Sequence, residues 1–162
     1  NDNPSAVRYP RGEGIGQEIP KTLQEIKIGK GRIIKEGNRI VLFSYGGRAK
    51  DCLLAASKLA KIGLSCTVAD ARFCKPLDKK LLYNLAKNHE LLITIEEGSI
   101  GGFGSHVNNV LLNSNKVFKK LKVRNMHFPD IFIEHDTPKK MYVKAKLDYS
   151  SIVRIVLSAL RV

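Results

Sequence analysis

Between Leu91 and Leu112 the chain changes its hydrophobic period. Leu91-Leu92-Ile93-Thr94-Ile95 is an apolar run of strand type, and Val107-Asn108-Asn109-Val110-Leu111-Leu112 is amphipathic at helical spacing. Between them lies Glu96-Glu97-Gly98-Ser99-Ile100-Gly101-Gly102-Phe103-Gly104-Ser105-His106. A strand that ends in two carboxylates, turns on glycines and opens a helix belongs in an open α/β sheet. Such sheets carry their functional surface in the crevice beyond the carboxyl ends of the strands. Glycines let backbone N–H groups approach a partner closely, and a helix N-terminus favours an anion. Glu96, Glu97, Gly98, Gly101, Gly102 and Gly104 therefore form a candidate interface or anion-binding turn. Taken alone, the same residues also read as a merely tight turn. The spacing is not the G-x-G-x-x-G of dinucleotide folds, and no Gly-Lys-Ser/Thr follows, so it is not a P-loop either.

The rest of the chain repeats this alternation. Residues 1–25 hold Pro4, Pro10, Pro20, Gly12, Gly14 and Gly16 without a periodic apolar pattern, which marks a linker or arm. The ordered domain is expected over 26–162. Lys27–Lys35 alternates and stops at Glu36-Gly37-Asn38; Arg39–Tyr45 is almost continuously apolar, as a buried strand is. These two are expected to pair as a hairpin. A helix opens at Gly46-Gly47 and stops at Gly63. Ser65–Asp70 is a third strand, Pro76 begins a helix ending near Asn88, and Lys120–Met126 is a fifth strand. Thr137-Pro138 is an N-cap and first-turn pair for a short helix, and Ser150–Leu160 is the last helix. Strands alternating with helices imply an α/β fold: a three-layer αβα sandwich on a mainly parallel sheet of about five strands, with one antiparallel strand from the hairpin.

The chain has 162 residues, enough for one domain with a real core. No apolar run approaches the roughly 20 residues of a membrane-spanning helix. The opening Asn1-Asp2-Asn3-Pro4-Ser5-Ala6-Val7 has neither the basic flank nor the apolar stretch of a signal peptide, and it reads as the interior of a longer protein. Cys52, Cys66 and Cys74 make neither a C-x-x-C pair nor an even disulfide set, which favours a reducing compartment. His89, His106, His127 and His135 form no ligand motif, so no metal is expected on this segment alone. The formal charge of +13 is extreme. Its lysines are spread along the chain without a nucleic-acid-binding motif, so an acidic neighbouring domain or phosphorylated substrates are the better partners. No nucleic acid and no membrane are expected.

Five segments in one order carry a resemblance. They are Arg8-Tyr9-Pro10-Arg11-Gly12-Glu13-Gly14, Ile28-Gly29-Lys30-Gly31, Val68-Ala69-Asp70-Ala71-Arg72-Phe73-Cys74-Lys75-Pro76-Leu77-Asp78, the turn Glu96–His106, and Phe128-Pro129-Asp130-Ile131-Phe132-Ile133-Glu134-His135. Together they resemble the C-terminal domain of 1-deoxy-D-xylulose 5-phosphate synthases, thiamine-diphosphate enzymes of the transketolase superfamily. The glycine turn alone is also similar to 2-oxoacid dehydrogenase beta subunits; the Tyr-Pro-Arg-Gly arm favours the synthase. The resemblance implies condensation of pyruvate with glyceraldehyde 3-phosphate, with release of carbon dioxide, in a homodimer using thiamine diphosphate and magnesium. It also implies that the remaining domains hold that cofactor, since no Gly-Asp-Gly motif occurs here. No catalytic, cofactor-binding or metal-binding residue is then expected in this chain, which alone should be inactive. The resemblance assigns Arg11 to the phosphate of glyceraldehyde 3-phosphate, a role its planar guanidinium suits. Bacterial cytoplasm, or a plastid-type organelle, is the implied location.

Other residues carry plainer expectations. Glu96 and Glu97 are adjacent on a strand, so they face opposite ways and do not readily share a proton. Capping a helix or contacting a subunit suits them better than catalysis. His106 is expected to be structural. Arg72 and Lys75 follow a strand end and brace the Pro76 turn or meet an anion. Asp78 suits a helix N-terminus, and Cys74 has no base beside it in sequence. Two readings compete with the synthase: a transketolase or 2-oxoacid dehydrogenase beta subunit, and a stand-alone αβα module binding an anionic partner at Gly98–Gly104.

Overall fold

In the computed structural model the described residues are Pro4, Ala6, Tyr9, Lys21, Thr22, 24–116, Phe118 and 120–161. The two most apolar runs make the centre of the sheet. The strands are β1 (Arg32–Lys35), β2 (Ile40–Tyr45), β3 (Cys66–Asp70), β4 (Leu91–Glu96) and β5 (Lys122–Met126). The helices are α1 (Ala49–Ala60), α2 (Lys79–Asn88), α3 (Phe103–Leu112), α4 (Pro138–Lys144) and α5 (Tyr149–Leu160). The sheet order is β1-β3-β2-β4-β5, with every pair parallel except β1 with β3. Leu42 of β2 registers with Val68 on one side and Ile93 on the other.

Alternation along the central strands sorts the core into two layers. Ile40, Leu42, Val68, Leu91, Ile93 and Ile95 face α1 and α5. Val41, Phe43, Ala69 and Leu92 face α2 and α3, where Phe103 stacks at 5.1 Å on Tyr45 and meets Phe43 edge-on at 5.2 Å. The architecture is thus the αβα sandwich expected from the alternation of elements.

The expected hairpin does not form. The strand before the Glu36-Gly37-Asn38 turn pairs antiparallel with β3, not with β2. Gly37 explains why. Its N–H donates to Thr67 Oγ1 at 3.0 Å, and that hydroxyl donates back to the Gly37 carbonyl at 3.0 Å. A Cβ on Gly37 would lie 2.2 Å from the carbonyl carbon of Cys66. The segment therefore crosses the start of β3 instead of reversing, and β2 is left with parallel neighbours on both edges. β1 is charged and mostly exposed, as an edge strand should be.

Helix α2 begins at Lys79 rather than at Pro76. Asp78 is its N-cap, accepting from Leu81 N at 3.0 Å. Pro76 instead packs against Gly29, where a Cβ would come within 2.9 Å of its ring. Helices α4 and α5 follow Thr137 and Asp148, each a residue type suited to the N-cap.

Candidate functional site

At the carboxyl end of β4 the two adjacent glutamates part company. Glu96 is buried on the α2/α3 side. Its Oε2 accepts from Phe103 N and its Oε1 from Gly104 N, both at 2.8 Å. It is therefore the cap of α3, supplying from within the anion that a helix N-terminus favours. The glycines make room for it. A Cβ on Gly98 would stand 2.6 Å from Glu96 Oε2, and one on Gly102 would stand 2.4 Å away. Two further donors of the turn are engaged: Gly101 N donates to Ser105 Oγ at 3.1 Å, and Gly102 N to the Ser99 carbonyl at 3.2 Å. Gly104 is held close to β4 and β5, where Asn125 Nδ2 donates to Thr94 Oγ1 at 2.8 Å.

Glu97 turns to the opposite side. Its Oε1 accepts from Arg48 Nε at 2.8 Å and from the Tyr142 hydroxyl at 2.9 Å. Arg48 also donates to Asp51 Oδ2 at 3.0 Å, and its guanidinium carbon lies 3.5 Å from the Tyr142 ring centroid. Burial, then the hydrogen bond to Glu97, raises the Tyr142 phenol above its usual range. This cluster occupies the gap between the ends of β2 and β4. That gap is the topological switch point, since β3 lies to one side of β2 and β4 to the other. The chain's own side chains fill the place where open sheets of this kind receive a ligand. Sequence reading did not single out Arg48, Asp51 or Tyr142. Arg48 meets Glu97 across 49 positions, and no local motif announces such a pairing.

Beside the glycine turn an open cleft of about 390 Å³ is lined by Cys74, Lys75, Gly101, Gly102, Ser105 and His106. Lys75 is exposed at its mouth. Arg72 adopts a left-handed φ of 57°, and its N–H donates to Asp70 Oδ1 at 3.0 Å. Burial, with the charge of Glu96 adding to it, raises the Cys74 thiol, which keeps it protonated rather than nucleophilic. Burial likewise pushes Cys52 up to about 12. His89 is a tie within the fold, contacting Thr67 Oγ1 at 2.7 Å and the Leu85 carbonyl at 2.9 Å. His106 sits within α3 and lines the cleft, while His135 is exposed. Arg11 and Arg8 lie outside the described residues, as does most of the arm over 1–25.

Segments far apart in sequence converge on this end of the sheet. Gly31 N donates to Asp78 Oδ2 at 3.3 Å, and Arg32 Nε to Asp70 Oδ2 at 3.1 Å, which joins the Gly-Lys-Gly segment to the 68–78 segment. The 68–78 segment meets the glycine turn across the cleft. Phe128 N donates to the Gly98 carbonyl at 2.8 Å, bringing in the 128–135 segment. Among the described residues no three His, Cys, Asp or Glu side chains group as metal ligands. The N–H groups of Gly101, Gly102, Phe103 and Gly104 are satisfied within the turn.

The end of the sheet thus combines a buried helix cap at Glu96, an ion-pair cluster at Glu97 and an open cleft beside Cys74. It is the carboxyl end of the sheet of an αβα domain that carries these features. The chain belongs to the transketolase C-terminal domain family, which matches residues 29–152. It is similar to a solved split-gene transketolase described as an inactive β4 tetramer, with 29% identity and a TM-score of 0.76, covering 85% of this chain and 44% of that one. It also shares its fold with the transketolase of Campylobacter jejuni, with 19% identity and a TM-score of 0.52, covering 80% of this chain and 18% of that one. The chain thus spans less than half the length of either.

Proposed function

We propose that this chain is the C-terminal domain of a thiamine-diphosphate synthase that condenses pyruvate with glyceraldehyde 3-phosphate to 1-deoxy-D-xylulose 5-phosphate and carbon dioxide. The observation that carries the reading is the convergence just described. Four of the five segments behind the resemblance meet at one end of the sheet through Gly31–Asp78, the Cys74–His106 cleft and Gly98–Phe128. Residues gathered in this way serve one surface, and membership of the transketolase C-terminal domain family supports its use in a carboligase. In this reading thiamine diphosphate and magnesium bind elsewhere in the enzyme. The domain contributes to a homodimer, and Arg11 contributes to the substrate phosphate site. The cofactor supplies the carbanion chemistry when bound, while this chain orients and encloses.

The second reading is a transketolase proper, favoured by the similarity to a split-gene transketolase. One assay separates the two. The enzyme that contains this domain is supplied with thiamine diphosphate and magnesium, then with pyruvate and glyceraldehyde 3-phosphate, or with a ketose phosphate and an aldose phosphate. Carbon dioxide and deoxyxylulose phosphate from the first mixture alone support the synthase. Two-carbon transfer in the second mixture, without decarboxylation in the first, sinks it. The 162-residue chain by itself is expected to turn over neither.

A further inference from the structure

Two basic stretches meet on the α2 side of the domain. Helix α2 carries three lysines and no carboxylate, and residues 113–124 carry four lysines, an arginine and no carboxylate. Between them runs a groove of about 490 Å³, lined by Lys80, Tyr83, Asn84, Lys87, Lys116 and Phe118. The four residues from α2 stand at i, i+3, i+4 and i+7, which is one stripe of a helix. Leu82, Leu85 and Ala86 of the same helix are buried in the core. Lys116 and Phe118 come from the connection between α3 and β5.

Aromatic and basic groups are interleaved in this groove. Tyr83 and Phe118 stack with their centroids 6.2 Å and their planes 25° apart, and both pack against the α2/α3 layer of the core. Rings anchored in this way lose little freedom when a third ring joins them. Lys116 Nζ lies 5.4 Å from the Tyr83 ring centroid. Lys80 and Lys87 are two turns, about 10 Å, apart along the helix. Among the described residues none of these three lysines forms an ion pair. Like charges gathered around one groove repel, and a bound anion relieves that repulsion. Lysines alone would take any polyanion, and the aromatic pair alone any flat molecule. Their combination answers to a planar ring joined to phosphates. The volume falls within the range of about 300–1,000 Å³ that small-molecule sites occupy.

We infer that this groove binds a nucleoside di- or triphosphate, with the base against Tyr83 and Phe118 and the phosphates among Lys80, Lys87 and Lys116. Asn84 supplies an amide that can both donate to and accept from the base or ribose. The inference does not depend on which reaction the enzyme catalyses.

Amide chemical shifts of the isotope-labelled 162-residue chain, followed during titration with ATP, test it. An ionic strength of about 0.15 M screens exposed charges that lie more than about 8 Å away. The expected result is saturable shifts along α2 and at Lys116 and Phe118, with a dissociation constant of about 1 mM or tighter. Adenosine lacks the charge and inorganic triphosphate lacks the ring, so each should bind about 10-fold or more weakly. Lys80→Glu with Lys87→Glu should weaken ATP binding about 10-fold or more, and Tyr83→Leu should weaken it about 10-fold. Lys58→Glu with Lys61→Glu makes the same change of charge on the α1 side and should leave binding as it is. Lys80 and Lys87 are exposed, so their reversal tests the groove even where Tyr83→Leu does not fold. Absence of saturable shifts overturns the inference, as do equal losses from the two double variants. Inorganic triphosphate that binds as tightly as ATP also overturns it. Thiamine diphosphate that binds this groove as tightly as ATP, or a short oligothymidylate that binds it more tightly, removes the nucleotide as its occupant. The carboligase assay bears on none of these outcomes.

Discussion

Arg48 sits over the ring of Tyr142 with its guanidinium carbon 3.5 Å from the ring centroid, and both side chains donate to the same oxygen of Glu97. Three elements meet in this contact: the start of α1, the end of β4 and the middle of α4. It is the tie that holds α4, and through the Phe128–Tyr142 stack the 128–135 loop, against the sheet.

Arg48→Met retains an apolar stem but removes the charge. Glu97 and the Tyr142 ring then lose their cation while remaining largely shielded from water. Loss of charge-assisted bonds at such a site costs about 1.5–3 kcal/mol. Urea denaturation should show a loss of that size, and hydrogen exchange should speed up in α4 before it does in β2 or β4. Arg39→Ala is the control. Its pairing with Glu90 is solvent-exposed, and its loss should cost less than about 1 kcal/mol.

Glu96→Gln keeps the shape of the α3 cap but replaces one acceptor oxygen with an amide that cannot accept. One of the Phe103 and Gly104 N–H groups is then unpaired in a buried place. The cost should be about 1–3 kcal/mol, lowering Tm by about 2–4 °C for each kcal/mol. Gly104→Ala should destabilise through a separate cause. Its Cβ would fall 2.2 Å from Asn125 Nδ2 and 2.7 Å from Thr94 Oγ1, breaking the bond between them. Thermal denaturation of both variants checks the pair, and a Glu96→Gln protein with unchanged Tm removes Glu96 from the role of cap.

These two clusters show what a sequence discloses and what it withholds. The strand–glycine–helix transition is written in consecutive residues, because period and turn chemistry are local properties. The opposite facing of Glu96 and Glu97 follows from strand alternation alone. The pairing of β1 does not. It depends on Gly37 seating against Thr67, 30 positions away, and a turn signal says only that the chain bends. The start of α2 at Lys79 rather than at Pro76 has a related cause, since Pro76 packs against Gly29 and not into the helix. Arg48 and Tyr142 carried no signal at all. A basic residue after Gly46-Gly47 and a tyrosine in a short helix become a site only when the fold brings Glu97 between them.

Stability should fall at both extremes of pH through identifiable groups. Burial and the hydrogen bond to Glu97 raise Tyr142 above its usual 10.0, so the folded chain keeps this proton after the unfolded chain has lost it. The contribution is complete below pH 10.0 and is lost as the pH rises through the folded-state value. Tyr142→Phe should flatten the alkaline limb of stability against pH. Asp148 behaves in the opposite sense. Burial would raise it, but hydrogen bonds from Ser150 and Ser151 prevail and hold it below 3.8. Its contribution is present above 3.8 and disappears as the pH falls through the lower folded-state value. Asp148→Asn should flatten the acid limb. Denaturation series across pH, run on the wild type and on each variant, read both slopes.

Arg11 is the residue whose replacement speaks most directly to substrate. The resemblance of Tyr9-Pro10-Arg11-Gly12 assigns it to the phosphate of glyceraldehyde 3-phosphate, although it lies outside the described residues. A guanidinium can hold two phosphate oxygens at once, and losing such a contact costs about 1.5–3 kcal/mol, or about 10- to 100-fold in kcat/KM. In the full enzyme Arg11→Ala should show that loss toward glyceraldehyde 3-phosphate while leaving pyruvate handling unchanged. Arg11→Lys should recover only part of it, because an ammonium keeps the charge but not the fork. Steady-state kinetics with each substrate varied in turn decides the matter. If pyruvate alone is affected, Arg11 does not contact the phosphate. If Arg11→Lys is as active as the wild type, charge rather than paired geometry is what the site requires.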